Sequence, residues 1–171
     1  MKRIIAISLL GLVLPLSSAA QDSTKYIGTL TGNSEVPSIS SAASGRFRAY
    51  VGSDGLHYEL TYTGLEGGAV SAAHIHLGQR HTAGGVIAFL CSNPPVSVGV
   101  PPCPPPPARV IGILMPSAVV GPAAQGIAPG EFDALVKALG NHTAYVNVHT
   151  AAFPTGEIRA SINRVTANDG R

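Results

Sequence analysis

The chain has 171 residues, with 11 Lys and Arg against nine Asp and Glu and a formal net charge of +2. Lys2 and Arg3 account for that surplus, so the remainder is electrically neutral and holds no Lys/Arg run. Such a balance leaves no electrostatic footprint for nucleic acid or for an anionic membrane, and bulk charge does not choose the partner.

The chain opens with Lys2 and Arg3, then an apolar run from Ile4 to Leu16 that closes on Ser17-Ser18-Ala19-Ala20. This is the pattern of a signal peptide over residues 1–20, with cleavage expected after Ala20. The run is short for a bilayer span and no second run of spanning length follows, so no membrane span is expected in the mature form. The expected location is secreted or periplasmic. About 150 residues then remain, one domain's worth and enough to bury a core unaided.

After export the pattern is strand punctuation. Tyr26 to Thr31 reads as a first strand, and Asn33 to Ser44 as a polar connection. Arg46 to Val51 alternates, with Phe47, Ala49 and Val51 on one face. The turn Ser53-Asp54-Gly55 hands over to Leu56, Tyr58, Leu60 and Tyr62, which alternate in the same way, and together these form a hairpin. Gly64 to Gly68 is a break before strands at Val70 to Leu77 and Val86 to Leu90.

Ser92 to Pro107, with the run Pro104 to Pro107, is expected as an exposed loop, since proline lacks the ladder donor and fixes φ. The only two cysteines, Cys91 and Cys103, flank it, and in an oxidising compartment they are expected to form one disulfide. Ala108 to Met115 is a further strand. Glu131 to Leu139 carries the one helical period, with Phe132, Leu135, Val136 and Leu139 on one face. A last hairpin runs Ala144 to Ala151, then Glu157 to Asn163, before a polar tail over residues 165–171. The expected fold is all-β: a Greek-key β-sandwich of the immunoglobulin-like or superoxide dismutase-like kind with one short helix.

Six histidines stand out in so weakly charged a chain. His57 lies on a polar strand face and His142 just past the helix, places that need no special function. His74 and His76 share a strand face roughly 7 Å apart, a chelating separation. Tyr145, Asn147 and His149 share a face of a later strand, so close approach of the two strands assembles three imidazoles, and His81 is a fourth nitrogen donor within reach on the following loop. Such a set, with no thiolate, suits divalent copper or zinc best. The alternative is a satisfied hydrogen-bond network of His74, His76, His149 and Asn147 with Glu157 or Arg159. No nucleophile elbow and no phosphate-cradling loop is present.

Three pieces, Ser71-Ala72-Ala73-His74-Ile75-His76, Tyr145-Val146-Asn147-Val148-His149-Thr150 and Gly156-Glu157-Ile158-Arg159, together resemble the CHRD (chordin-type) domain. Leu30-Thr31-Gly32-Asn33-Ser34-Glu35-Val36-Pro37 is similar to that family's usual start, which extends the resemblance over most of residues 24–164. Ala160 departs from the Gly that often follows Gly-Glu-Ile-Arg, and the Pro-rich insertion between Cys91 and Cys103 is not a general family feature. The resemblance implies an immunoglobulin-like sandwich and, in bacteria, a secreted or periplasmic protein. His74, His76 and His149 also resemble the copper-ligand strands of Cu/Zn superoxide dismutase, without that enzyme's long loops.

The expected function is thus an exported CHRD-type binding module for a protein or small ligand, with a copper or zinc site and no assumed catalysis. A dismutase-like copper enzyme is the second reading, and a structural or adhesive module without metal the third.

Overall fold

Alternating burial decides the strands. The computed structural model describes residues 24–165, and in it the elements run β1 (Lys25–Thr31), β2 (Ser44–Val51), β3 (Leu56–Thr63), β4 (Val70–Leu77), β5 (Val86–Ser92), β6 (Ala108–Leu114), α1 (Phe132–Gly140), β7 (Ala144–Thr150), β8 (Ile158–Ser161) and β9 (Asn163–Val165). The expected final strand is divided at Ile162, whose N–H turns aside to the Ala144 carbonyl while its side chain is fully buried. Val165, expected as the start of a polar tail, ends β9 opposite Lys25. The expected signal peptide and residues 166–171 lie outside the described residues. No described helix is long and apolar enough to cross a membrane.

The all-β fold with one short helix is what forms. Its strands are hydrogen-bonded in the order β5-β4-β7-β8-β1-β2-β3-β6, with β9 also on β1. Every pairing is antiparallel, but the junction in the middle is thin. β8 meets β1 only at Arg159 opposite Thr31, and β9 resumes the ladder at Lys25 to Ile27. The sheet folds over along this seam, and its two halves face each other across one apolar core. Leu30, Phe47, Leu56, Leu60 and Tyr62 come from one half, and Ile75, Leu90, Val146, Val148 and Ile158 from the other. Each such buried side chain contributes about 1.5–3 kcal/mol relative to exposure.

Helix α1 adds Leu135, Ala138 and Leu139 to the same core, with Asp133 in its first turn and Lys137 in its last, both favourable to the helix dipole. The expected disulfide between Cys91 and Cys103 is formed. Beside it, the Asn93 side-chain amide donates to the Val70 and Cys103 carbonyls and accepts the Cys103 N–H, which fixes the mouth of the Pro-rich loop. After β6 the chain crosses to β5. There Val119 bridges Ala88, and the Val120 N–H donates to the Ile87 carbonyl.

The two halves differ on their outer faces, and that difference positions the site. In β2 the outward residues Arg46, Arg48 and Tyr50 are exposed, as alternation requires of a half-buried strand. In β7 all seven residues are buried. Val146 and Val148 enter the core, while Tyr145, Asn147 and His149 are covered from the other side by loops.

Candidate metal centre

The covered side of β7 faces the histidines of β4. The ladder sets His74 opposite Asn147, Ala72 opposite His149 and His76 opposite Tyr145. On its other edge β4 pairs with β5 through two register shifts, one between Ala73 and His74 and one between Ile75 and His76. Irregularities of this kind re-aim side chains, and here they bracket both histidines. Phe89 of β5 then closes edge-on against the His74 ring, centroid to centroid 4.5 Å.

Three imidazoles meet in this space. His74, His76 and His149 each offer one ligand nitrogen, and these nitrogens all lie within 4.8 Å of one another. Main-chain carbonyls settle the tautomer of two rings, because a carbonyl only accepts. His76 Nδ1 donates to the Gly84 carbonyl at 2.9 Å, and His149 Nδ1 donates to the Pro154 carbonyl at 3.0 Å. Both rings therefore carry their proton on Nδ1 and turn an Nε2 lone pair toward the cluster. Anchoring of the non-ligating nitrogen by a carbonyl is the usual outer support of a metal-bound histidine.

His149 Nε2 accepts from His74 Nδ1–H at 3.1 Å and lies 2.9 Å from Asn147 Oδ1, a second acceptor. His76 Nε2 and His74 Nε2 are buried with no hydrogen-bond partner. A buried polar atom without a partner costs about 1–3 kcal/mol. Glu157 does not join the cluster.

All three rings are neutral at neutral pH. Burial pushes His74 down to about 3, with help from His149 and His76. Burial likewise pushes His76 down to about 4, with His149 and Arg159 contributing against the Gly84 carbonyl and Asn147. His149 is also shifted down by burial, opposed by the Pro154 carbonyl. Neutral imidazoles keep their lone pairs for a cation without first losing a proton.

Tyr145 and Arg159 form the back wall. The Tyr145 ring stacks on His76 at 4.6 Å and 5°, and the Arg159 guanidinium sits 3.4 Å over its other face. Arg159 also donates to the Thr82 carbonyl at 2.7 Å, and the Gly84 N–H donates to Tyr145 Oη at 3.1 Å, so the loop between β4 and β5 is strapped down over the cluster. His81 stands on that loop at φ 63°, exposed and outside the three-imidazole group. The strapping that seals the pocket is what leaves the expected fourth donor at the surface.

Glu35 was not singled out by its residue type, although it lies in the quoted opening motif. Its carboxyl is buried, with Oε1 unpartnered, and burial pushes it up to about 7 against the attraction of Arg159. A Cβ at Gly156, where φ is +125°, would collide with both Glu35 Oε1 and Asn147 Nδ2, so glycine is required at the turn that brings them together.

Glu157 makes a contrasting cluster beyond Thr150. It accepts from Ser41 Oγ at 2.8 Å, the Glu66 N–H at 2.7 Å, the Gly67 N–H at 3.0 Å and Thr150 Oγ1 at 2.7 Å. Burial raises its pKa, but these donors outweigh burial and hold it below the ordinary carboxylate value. Of the other histidines, His57 pairs with Asp54 at 2.6 Å and stacks on Tyr50. His142 is exposed just past α1.

Comparison with known proteins gives one result. A family model, the CHRD domain, matches residues 26–162. No curated protein and no solved structure matches the chain.

Proposed function

We propose, for a chain that belongs to the CHRD domain family, an exported binding module in which His74, His76 and His149 hold one copper or zinc ion without catalysing a reaction. The observation that carries this reading is the pair of buried Nε2 atoms, on His74 and His76, that have no partner although their rings are held in place. A polar cluster kept only for structure satisfies its own donors and acceptors, as the one around Glu157 does.

The disulfide and the CHRD family are compatible with an extracellular location. The first 20 residues support export, and amino-terminal sequencing of the mature protein is expected to begin at Gln21. Elemental analysis of the native protein tests the site, with one copper or zinc per chain expected. The His74→Ala, His76→Ala double variant is expected to bind either ion at least about 100-fold more weakly, since it removes two of three ligands. Equally negligible metal in wild type and variant, with equal affinities on titration, overturns the reading.

A further inference from the structure

All three donors are uncharged, and that bears on which ion the pocket prefers. We propose that the pocket is built for copper in its univalent state, and that divalent zinc and copper are disfavoured by charge rather than by size. This rests on the metal-binding reading and goes beyond it by naming the ion.

The first argument is electrostatic. Among the described residues the ligand group contains neither carboxylate nor thiolate, so no ligand charge offsets the ion's own. His76 and His149 are only 7% and 8% exposed, and their surroundings include Phe89 against His74 and Tyr145 against His76. The cost of moving an ion out of water rises with the square of its charge, so a divalent ion pays about four times what a univalent one pays. Zinc sites of the familiar kind offset that cost with thiolate or carboxylate, or keep a bound water in an open position.

The second argument is the sign of the nearby charge. Arg159, stacked on the far side of the Tyr145 ring from His76, sets a fixed positive charge behind that imidazole. Its repulsion of a divalent ion is twice that of a univalent one. Glu35, the buried carboxyl nearby, lies outside the ligand group and its charge is drawn to Arg159.

The third argument is donor number. Three nitrogens suffice for univalent copper, which is at ease with two or three ligands. Divalent copper looks for a tetragonal set, and zinc held by three imidazoles needs a water in its fourth position; the imidazole that would take that place, His81, is at the surface.

Competition on the metal-free, mature protein decides the matter. Under anaerobic reducing conditions it is titrated with univalent copper against bicinchoninate, and separately with zinc against a chromophoric chelator. One univalent copper per chain is expected, bound at least about 100-fold more tightly than zinc, the equivalent of about 2.7 kcal/mol. Zinc binding as tight as copper, or tighter, overturns this inference and leaves the metal site standing. Stoichiometric binding of neither ion removes the site itself.

A Phe89→Glu variant, checked for native circular dichroism, places a carboxylate beside His74. It is expected to narrow the copper-to-zinc preference at least about tenfold. An unchanged ratio in a folded variant overturns the charge argument. The oxidation state of wild-type copper after exposure to air is a further readout that needs no variant. Retention of the univalent X-ray absorption edge is expected, and a full divalent paramagnetic signal counts against the proposal.

Discussion

His149 and Thr150 are neighbours on β7, yet they belong to two polar clusters in opposite condition. Around Thr150 the Glu157 carboxylate meets four donors. Around His149 two buried imidazole nitrogens meet none. Both clusters lie among loops packed against the β7–β8 hairpin, and both are shielded from water. One is complete as it stands and works as a latch, holding Ser41 and the Glu66–Gly67 backbone to the sheet. The other is held in register with two ring nitrogens unpartnered, which is the arrangement the proposed cation would use.

Acid separates the two, and with the largest effect. In metal-free protein the unfolded chain takes up a proton at each histidine below pH 6.5, while folded His76 and His74 refuse one until about 4 and about 3. Their contribution is therefore full above pH 6.5 and is lost as pH falls toward those values. By pH 5 the loss is about 2 kcal/mol for each of the two imidazoles, read from urea midpoints. Glu157 contributes in the opposite part of the scale, with full effect above its ordinary value of 4.5 and loss below it. A flat midpoint between pH 6.5 and 5 would dissolve the contrast.

Glu157→Ala strikes the complete cluster and leaves buried donors unmet. It is expected to cost about 3 kcal/mol in urea unfolding, and a cost under about 1 kcal/mol would deny that the latch matters. Gly156→Ala, at the turn where Glu35 meets Asn147, is expected to cost about 2 kcal/mol through its φ and its collisions. The smallest effect belongs to the incomplete cluster. His76→Leu in metal-free protein is expected to cost about 1 kcal/mol or less, because it loses the Nδ1 bond to the Gly84 carbonyl, which still accepts from Tyr145 Oη, while also removing an Nε2 that has no partner. It should also erase part of the acid sensitivity just described.

Most of the fold could be read from alternation. Phe47 and Ala49 against Arg46, Arg48 and Tyr50 define β2 without help from the rest of the chain, since one face of that strand is exposed. β7 was readable for a different reason: Val146 and Val148 mark its core face, but only the tertiary structure shows that Tyr145, Asn147 and His149 are buried as well. The three clustered imidazoles followed from spacing on two strands. Their meeting depends on the β4–β7 register, a long-range fact. His81 illustrates the limit. Its place in sequence allowed it to join the cluster, whereas a guanidinium 78 positions away, that of Arg159, holds its loop by the Thr82 carbonyl. The state of Glu35 is equally non-local, because its neighbours Arg159 and Gly156 lie at the far end of the chain.

The short crossing of residues 119–120 over β5 has a consequence for how copies of the protein behave toward each other. A bare outer strand presents a free row of amides and carbonyls on which a neighbouring molecule can add, the first step toward fibres. Here Val119 and Val120 already occupy part of that row, so a second molecule would have to displace them before it could add there.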